Sequence, residues 1–461
     1  MPMNKPPDKL RFSRRDLIKT CGVAVALAAI SGQSGRAQSP IRENGPALAG
    51  DHWPLRRDRI ARAWLGLLGD PPVEVPDPRQ MVRKVTLAPG CPSERLTPVQ
   101  REVLRTQMAW ENGAIERYHV SFQAEDDDRV TAWLLVPKAA RRQRSPAMIC
   151  IHSTTLGAGK DATIGLSGPR PQDPPDSDEG GRSYGLHLAR HGYVTLSIDL
   201  LTDGERIGPG GRLHDTRPFY QRHPEWSIVG KNNWDISRSV DFLQTLDYVD
   251  PRHIGCVGLS LGGQTVVFAA AFEPRLAATI SIGAVLDWHR PNGPWARSDT
   301  PVLPDRGPYI FIRKFRPYVE NPALPVPTDF DELMMLVAPR PMLILKSEWE
   351  FDNRRNLLDK CLDVARVYRD WKDAPGLSSV IKARQQRKSY AQTLSYYKER
   401  TDIGPERMEG QLRRIGAGDS FGWFSYPGGH SYPPVTRQYS FAWLDRWLDR
   451  DQRWYGRYVR S

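Results

Sequence analysis

From Pro146 onward the chain repeats one rhythm: a short continuous apolar run, a loop, then an amphipathic stretch. The runs are "AMICIHS" (147–153), "YVTLSID" (193–199), "HIGCVGL" (253–259), "LAATISIGAV" (276–285), "PMLILKS" (341–347) and "FGWFSY" (421–426). Runs this short and predominantly apolar read as strands buried on both faces. Between them "SYGLHLARHG", "NNWDISRSVDFLQTLDYV", "GGQTVVFAAAF" and "DFDELMMLVAP" read as helices, and "TRQYSFAWLDRWLDR" closes the chain as an amphipathic helix. Strands alternating with helices predict an α/β fold, a mostly parallel central sheet with helices on both faces.

Two further strands precede the rhythm. "AIERYHVSFQ" (114–123) and "RVTAWLLVPK" (129–138) flank the acidic turn "AEDDD", a hairpin signature that opens the sheet with an antiparallel pair. Before them, residues 51–70 show helical spacing at Ile60, Trp64 and Leu67 or Leu68, followed by a proline-rich linker to about Pro78. Residues 38–110 are therefore expected to form a helical extension and linker, and 111–461 a single catalytic domain. One stretch departs from the rhythm: about 371–418 is polar, basic and helical in spacing. It is read as a helical insertion before the last strand, a solvated surface segment or, as the sharper alternative, a lid.

The first 37 residues stand apart from the fold. "FSRRDLIK" pairs Arg14 with Arg15, a mildly apolar stretch runs from about Val23 to Ile30, and Gly35 and Ala37 offer small residues for a cut after Ala37. The pattern resembles a twin-arginine signal peptide, which implies the export machinery as a partner and a periplasmic or secreted destination. No uninterrupted apolar run reaches the ~18–20 residues of a membrane span, so no stable span is expected after cleavage.

Composition excludes other classes. The net charge of +12 falls to +7 once residues 1–37 are removed, and acids are interleaved with bases, so no basic face for nucleic acid is evident. Of five cysteines, Cys21 belongs to the signal, and Cys91, Cys150, Cys256 and Cys361 form no C-x-x-C pair. Buried free thiols are expected rather than a metal site.

Chemistry enters at "GLSLG", Gly258–Gly262. An apolar strand precedes this G-x-S-x-G and a helix follows it, the setting of a nucleophile elbow. Such a turn aims Ser260 Oγ out of the carboxyl end of the sheet and leaves the Leu261 N–H for an oxyanion. A serine nucleophile requires a base. Among ten histidines, His430 in "SYPGGHSYPP" follows the last strand in a Gly/Pro loop and lies downstream of the serine. The acid is expected after the preceding strand, in "LKSEWEFDNRR", where Glu348 is favoured over Glu350 and Asp352. A second oxyanion donor is expected from "IHSTTLGAGKD", most naturally the Thr154 N–H, with His152 as structural support for that loop.

With these pieces named, the chain resembles the α/β-hydrolase superfamily, in its dienelactone-hydrolase-like and acetyl-xylan-esterase-like branch. The resemblance rests on "IHSTTLGAGKD", "YVTLSIDLLTDGER", "HIGCVGLSLGG", "FEPRLAATIS", "LVAPRPMLIL" and "YPGGHSYPP", and covers most of the chain. It implies Ser260 as nucleophile, His430 as base and an acid after "PMLIL", with no cofactor. Aspartate is usual at the acid, whereas both best candidates here are glutamates. The expected activity is an exported carboxylic-ester hydrolase for short acyl groups such as acetyl, possible on carbohydrate. A serine peptidase of the prolyl-oligopeptidase type shares the late motifs but usually carries a long preceding domain. A non-catalytic hydrolase fold that binds a ligand is the third reading.

Overall fold

The computed structural model describes residues 53–71, 88–89, 96–125, 127–155, 157–167, 181–208, 210–284, 307, 309–321, 323–347, 361, 363–365, 367–368, 420–426 and 430–448. The signal segment, the 371–418 insertion, Cys91 and the acid candidates Glu348, Glu350 and Asp352 lie outside these residues.

The described strands form one nine-stranded sheet in the order β1-β2-β3-β5-β4-β6-β7-β8-β9. They are β1 (Ala88–Pro89), β2 (Ile115–Gln123), β3 (Arg129–Pro137), β4 (Ser145–Ile151), β5 (Val194–Ile198), β6 (Val249–Leu259), β7 (Leu276–Ile282), β8 (Met342–Ser347) and β9 (Phe421–Tyr426). The pairings β1–β2, β2–β3 and β3–β5 are antiparallel. All pairings from β5 through β4 and β6 to β9 are parallel. The expected hairpin and buried parallel strands are both present. Every residue of β5 is buried, as its continuous apolar pattern requires.

Helices among the described residues include α1 (Trp53–Leu68), α2 (Pro98–Trp110), α3 (Tyr184–Arg190), α4 (Arg217–Arg222), α5 (Ile228–Gln244), α6 (Leu261–Phe272), α7 (Arg316–Glu320), α8 (Phe330–Met335) and α9 (Pro434–Trp447). Ile60, Trp64, Leu67 and Leu68 of α1 are all buried, the face their spacing marks out. Trp64 meets Phe268 of α6 edge-on at 5.2 Å, so the extension is docked directly on the helix that follows the candidate serine. Two boundaries differ from the sequence reading. α5 starts at Ile228, where the Ser227 hydroxyl accepts the Gly230 N–H at 2.9 Å, and stops at Gln244. β6 begins at Val249, within the stretch read as helix. The helix α2 and the short β1 have no counterpart in the sequence reading. Thr97 and Gln100 form a capping box at the start of α2, a signal that was present in the sequence.

Cys150, Cys256 and Cys361 are free and buried. No helix among the described residues is long and apolar enough to cross a membrane.

The acidic hairpin turn is paired with buried basic side chains. The ammonium of Lys231, buried on α5, lies 2.6 Å from Glu125, from Asp128 and from Asp235. Arg206 pairs with Asp235 at 2.7 Å and also with Asp128. A second network lies alongside: buried Lys160 contacts Asp199 at 2.6 Å and Glu205 at 2.9 Å, and Glu205 meets His119 at 2.7 Å. Removing one partner from such a site costs about 3–5 kcal/mol, because the remaining charge stays buried and unpaired. Burial alone would raise the Glu205 pKa, but the His119 hydrogen bond and the Lys160 ammonium outweigh it and bring it down to about 2.

A folded-state pKa below the unfolded value contributes stability above the unfolded value and loses it as pH falls through the folded one. For Glu205 that window runs from its ordinary 4.5 down to about 2. Unfolding titrations of wild type should therefore show stability falling across this interval, and Glu205→Gln should show a shallower fall. Parallel pH profiles would contradict the assignment.

Candidate active site

The parallel strands all deliver their carboxyl ends to one edge of the sheet. The connection from β4 leads to β5 on one side, while β6 lies on the other side of β4. The strand order thus reverses at β4, and ligands of open α/β sheets bind in the crevice at such a reversal. The two loops that open there are the one after β4, with Thr154, and the one after β6, with Ser260.

Ser260 adopts φ +60° and ψ −117° between β6 and α6. A positive φ in a residue with a Cβ is a strained conformation that persists only when its surroundings impose it. Here the constraint is visible. The Ser260 N–H donates to the Ile282 carbonyl at 2.8 Å, and its own carbonyl accepts the Gln264 N–H at 2.9 Å. A methyl on Gly258 would lie 2.4 Å from the Gly262 carbonyl carbon. A methyl on Gly262 would lie 2.1 Å from the Ile151 carbonyl oxygen and 2.7 Å from that of His152. Only hydrogens fit between strand, turn and neighbouring strand, which is the packing the two flanking glycines predict. Ser260 is half-buried. The Leu261 N–H belongs to the first turn of α6, where no intrahelical acceptor exists.

The loop after β4 is fixed by side chains from the loop after β5. His152 is fully buried, its Nδ1 2.8 Å from the Ser153 carbonyl and its Nε2 accepting the Leu200 N–H at 3.0 Å. Both ring nitrogens are engaged, as befits a supporting residue. The Thr155 hydroxyl donates to Asp203 at 3.1 Å and accepts the Gly159 N–H at 2.8 Å. Asp199 accepts the Lys160 N–H at 2.8 Å.

His430 lies four positions beyond the end of β9 and is exposed. β9 is three strands from β6, a lateral span of about 14 Å at ordinary strand spacing, so its loop has to reach back along the sheet edge. The segment just after His430 is firmly seated. Tyr432 is buried, its hydroxyl bonds to Ser440, and its ring meets Tyr184 edge-on at 6.1 Å. Gly181, at φ +75°, passes so close that a methyl would lie 1.8 Å from the Tyr432 carbonyl oxygen. The Tyr184 hydroxyl donates to the Ile151 carbonyl, the same group that faces Gly262. One line of contacts therefore joins the His430 loop to the elbow. Tyr184, Tyr432, Thr155 and Asp203 escaped the sequence reading because nothing local marks them; their partners are distant in sequence.

The profile described as "Glucuronyl esterase, fungi" matches residues 212–370, about a third of the chain. A 4-O-methyl-glucuronoyl methylesterase of Podospora anserina is 30% identical over 158 residues, covering 30% of this chain and 32% of that protein. A 4-O-methyl-glucuronoyl methylesterase 1 of Wolfiporia cocos is 31% identical over 130 residues, covering 25% of this chain and 31% of that protein. The chain thus spans about a third of the length of these curated relatives. A solved glucuronoyl esterase from Solibacter usitatus superimposes with a TM-score of 0.55 at 17% identity, covering 88% of this chain and 95% of that one. The likeness to the solved structure shows the fold, that of the α/β hydrolases.

Within this hydrolase fold the elbow glycines carry a direct consequence. Gly262→Ala should force the Ile151 and His152 carbonyls apart and tilt the turn that aims Ser260. Serine labelling by a fluorophosphonate should slow by at least ~10-fold, since misplacement by about 1 Å costs on the order of 10²-fold. Labelling at the wild-type rate would contradict the packing argument.

Proposed function

We propose that the protein is a serine carboxylic-ester hydrolase acting on carbohydrate esters. The observation that carries this reading is Ser260 held at φ +60° at the strand-to-helix turn beside the sheet's reversal point. In this mechanism His430 takes the Ser260 proton as Oγ attacks the ester carbonyl. The Leu261 and Thr154 N–H groups hold the oxyanion, each contributing roughly 3–4 kcal/mol to transition-state stabilisation. The C–O bond to the alcohol then breaks, with His430 returning the proton to the leaving oxygen. A water deprotonated by His430 attacks the acyl-serine, and the acid is released. Glu348 orients the histidine, with Glu350 as the alternative.

The names of the relatives support a sugar ester as substrate. They favour a uronoyl ester, in which the sugar supplies the acyl group, over an acetylated sugar, in which it supplies the alcohol. The test is hydrolysis of p-nitrophenyl acetate, acetylated xylan and methyl 4-O-methyl-glucuronate by the mature chain. Ser260→Ala should reduce turnover by at least ~10⁴-fold. Glu348→Gln should cost more than Glu350→Gln. Turnover that survives Ser260→Ala would overturn the reading, and a folded chain with neither turnover nor fluorophosphonate labelling would favour a ligand-binding protein.

Export supports the same substrate class, because plant and algal polysaccharide lies outside the cell. Arg14 and Arg15 carry this part of the proposal. Changing both to lysine should leave the full-length chain in the cytoplasmic fraction; unchanged export would show that another signal is used.

A further inference from the structure

Three of the four residues other than glycine at positive φ among the described residues lie at the carboxyl edge of the sheet: Thr202 (φ +76°), His214 (φ +59°) and Ser260 (φ +60°). The first two bracket Asp203 in the loop after β5. Strain at such a residue persists only where neighbouring contacts over-determine the backbone. The His214 N–H donates to the Thr202 carbonyl at 3.0 Å, and Asp203 adds side-chain contacts between the two. Its Oδ2 is 2.8 Å from His214 Nε2, and its Oδ1 accepts the Gly204 N–H at 2.9 Å and the Thr155 hydroxyl at 3.1 Å. The carboxylate is 1% exposed. Burial alone would raise its pKa, but the adjoining His152 and His214 rings and the Gly204 N–H hold it below the ordinary value.

The direction of each hydrogen bond is fixed by chemistry. A carboxylate can only accept and an amide N–H can only donate, so the Thr155 hydroxyl gives its single proton to Asp203 and offers a lone pair to Gly159. That hydroxyl braces the loop after β4 from within, one residue beyond Thr154. On the far side, the His214 ring meets Tyr309 edge-on at 5.8 Å, and the Gly307 N–H donates to the Leu213 carbonyl at 2.9 Å. Asp203 therefore joins the loop after β4 to the segment at His214, on which Gly307 and Tyr309 pack.

We propose that Asp203 is a positioning residue which, through the Thr155 hydroxyl, holds the loop after β4 so that its backbone N–H groups meet the oxyanion. This rests on the reading of Ser260 as nucleophile. Asp203 touches neither the serine nor the ester; its effect is on where the second oxyanion donor stands. A misplaced donor weakens binding of the charged transition state and leaves binding of the neutral ester largely intact. The signature is a fall in kcat with KM nearly constant.

The test compares Thr155→Val, Thr155→Ser and Asp203→Asn with wild type on p-nitrophenyl acetate, with melting curves for each. Thr155→Val should lower kcat by roughly 10- to 100-fold with KM within about twofold. Thr155→Ser, which restores the hydroxyl, should recover most of the loss, and Asp203→Asn should behave like Thr155→Val. Should Asp203→Asn fail to fold, the Thr155 pair decides alone. An unchanged kcat in Thr155→Val, or a serine variant no better than the valine one, would overturn the proposal. So would a loss confined to KM. Ser260→Ala is measured beside them. Activity that survives it removes the nucleophile reading and this proposal together, whereas activity lost there but kept in Thr155→Val overturns this proposal alone.

Discussion

The close passage of β6, α6 and β4 at Gly258 and Gly262 is the constraint on which the site depends. With a gap that a single methyl would close, the turn has no latitude, and Ser260 is driven to a positive φ that its own side chain disfavours. That strain is offset by burial around it: Val257, Leu259, Val266 and Val267 are all buried in the sheet and the helix it feeds. The serine is thus aimed by the core.

The same residues whose carbonyls meet the elbow also receive the rest of the site. The Ile151 carbonyl accepts from Tyr184, which packs on Tyr432 beyond His430, while the His152 ring, through Nε2, accepts the Leu200 N–H from the loop after β5. Beneath these lie the Lys160 and Lys231 networks, which replace apolar packing with buried charge on the β2–β3 side of the sheet. Such networks add little net stability over an apolar core, but each demands one geometry of its partners. They tie the loop after β4 (through Lys160), the hairpin turn (through Glu125 and Asp128) and the start of α5 to the loop after β5 (through Asp199 and Arg206).

Most of the fold was legible in the sequence because buried parallel strands leave continuous apolar runs, and "GLSLG" is a steric requirement written in residue types. The hairpin and the face of α1 at Ile60 and Trp64 both follow from local pattern. Less legible was whatever depends on distant partners. The "AEDDD" turn was legible as a hairpin turn, but not its buried basic partners, because Lys231 and Arg206 lie about a hundred residues away in sequence. Asp203 and Thr155 carry no periodicity that would single them out. The start of β6 at Val249 was read as helix because Leu246 and Tyr248 continue the apolar spacing of α5 past its true end at Gln244.

On the proposed mechanism Ser260 becomes acylated during turnover. The most direct test is rapid acid quench of the mature chain with p-nitrophenyl acetate, followed by peptide mapping by mass spectrometry. The account predicts a transient acetyl group on the peptide that contains Ser260 and on no other. Steady turnover with no adduct there, or with the acetyl group on a different residue, would contradict it.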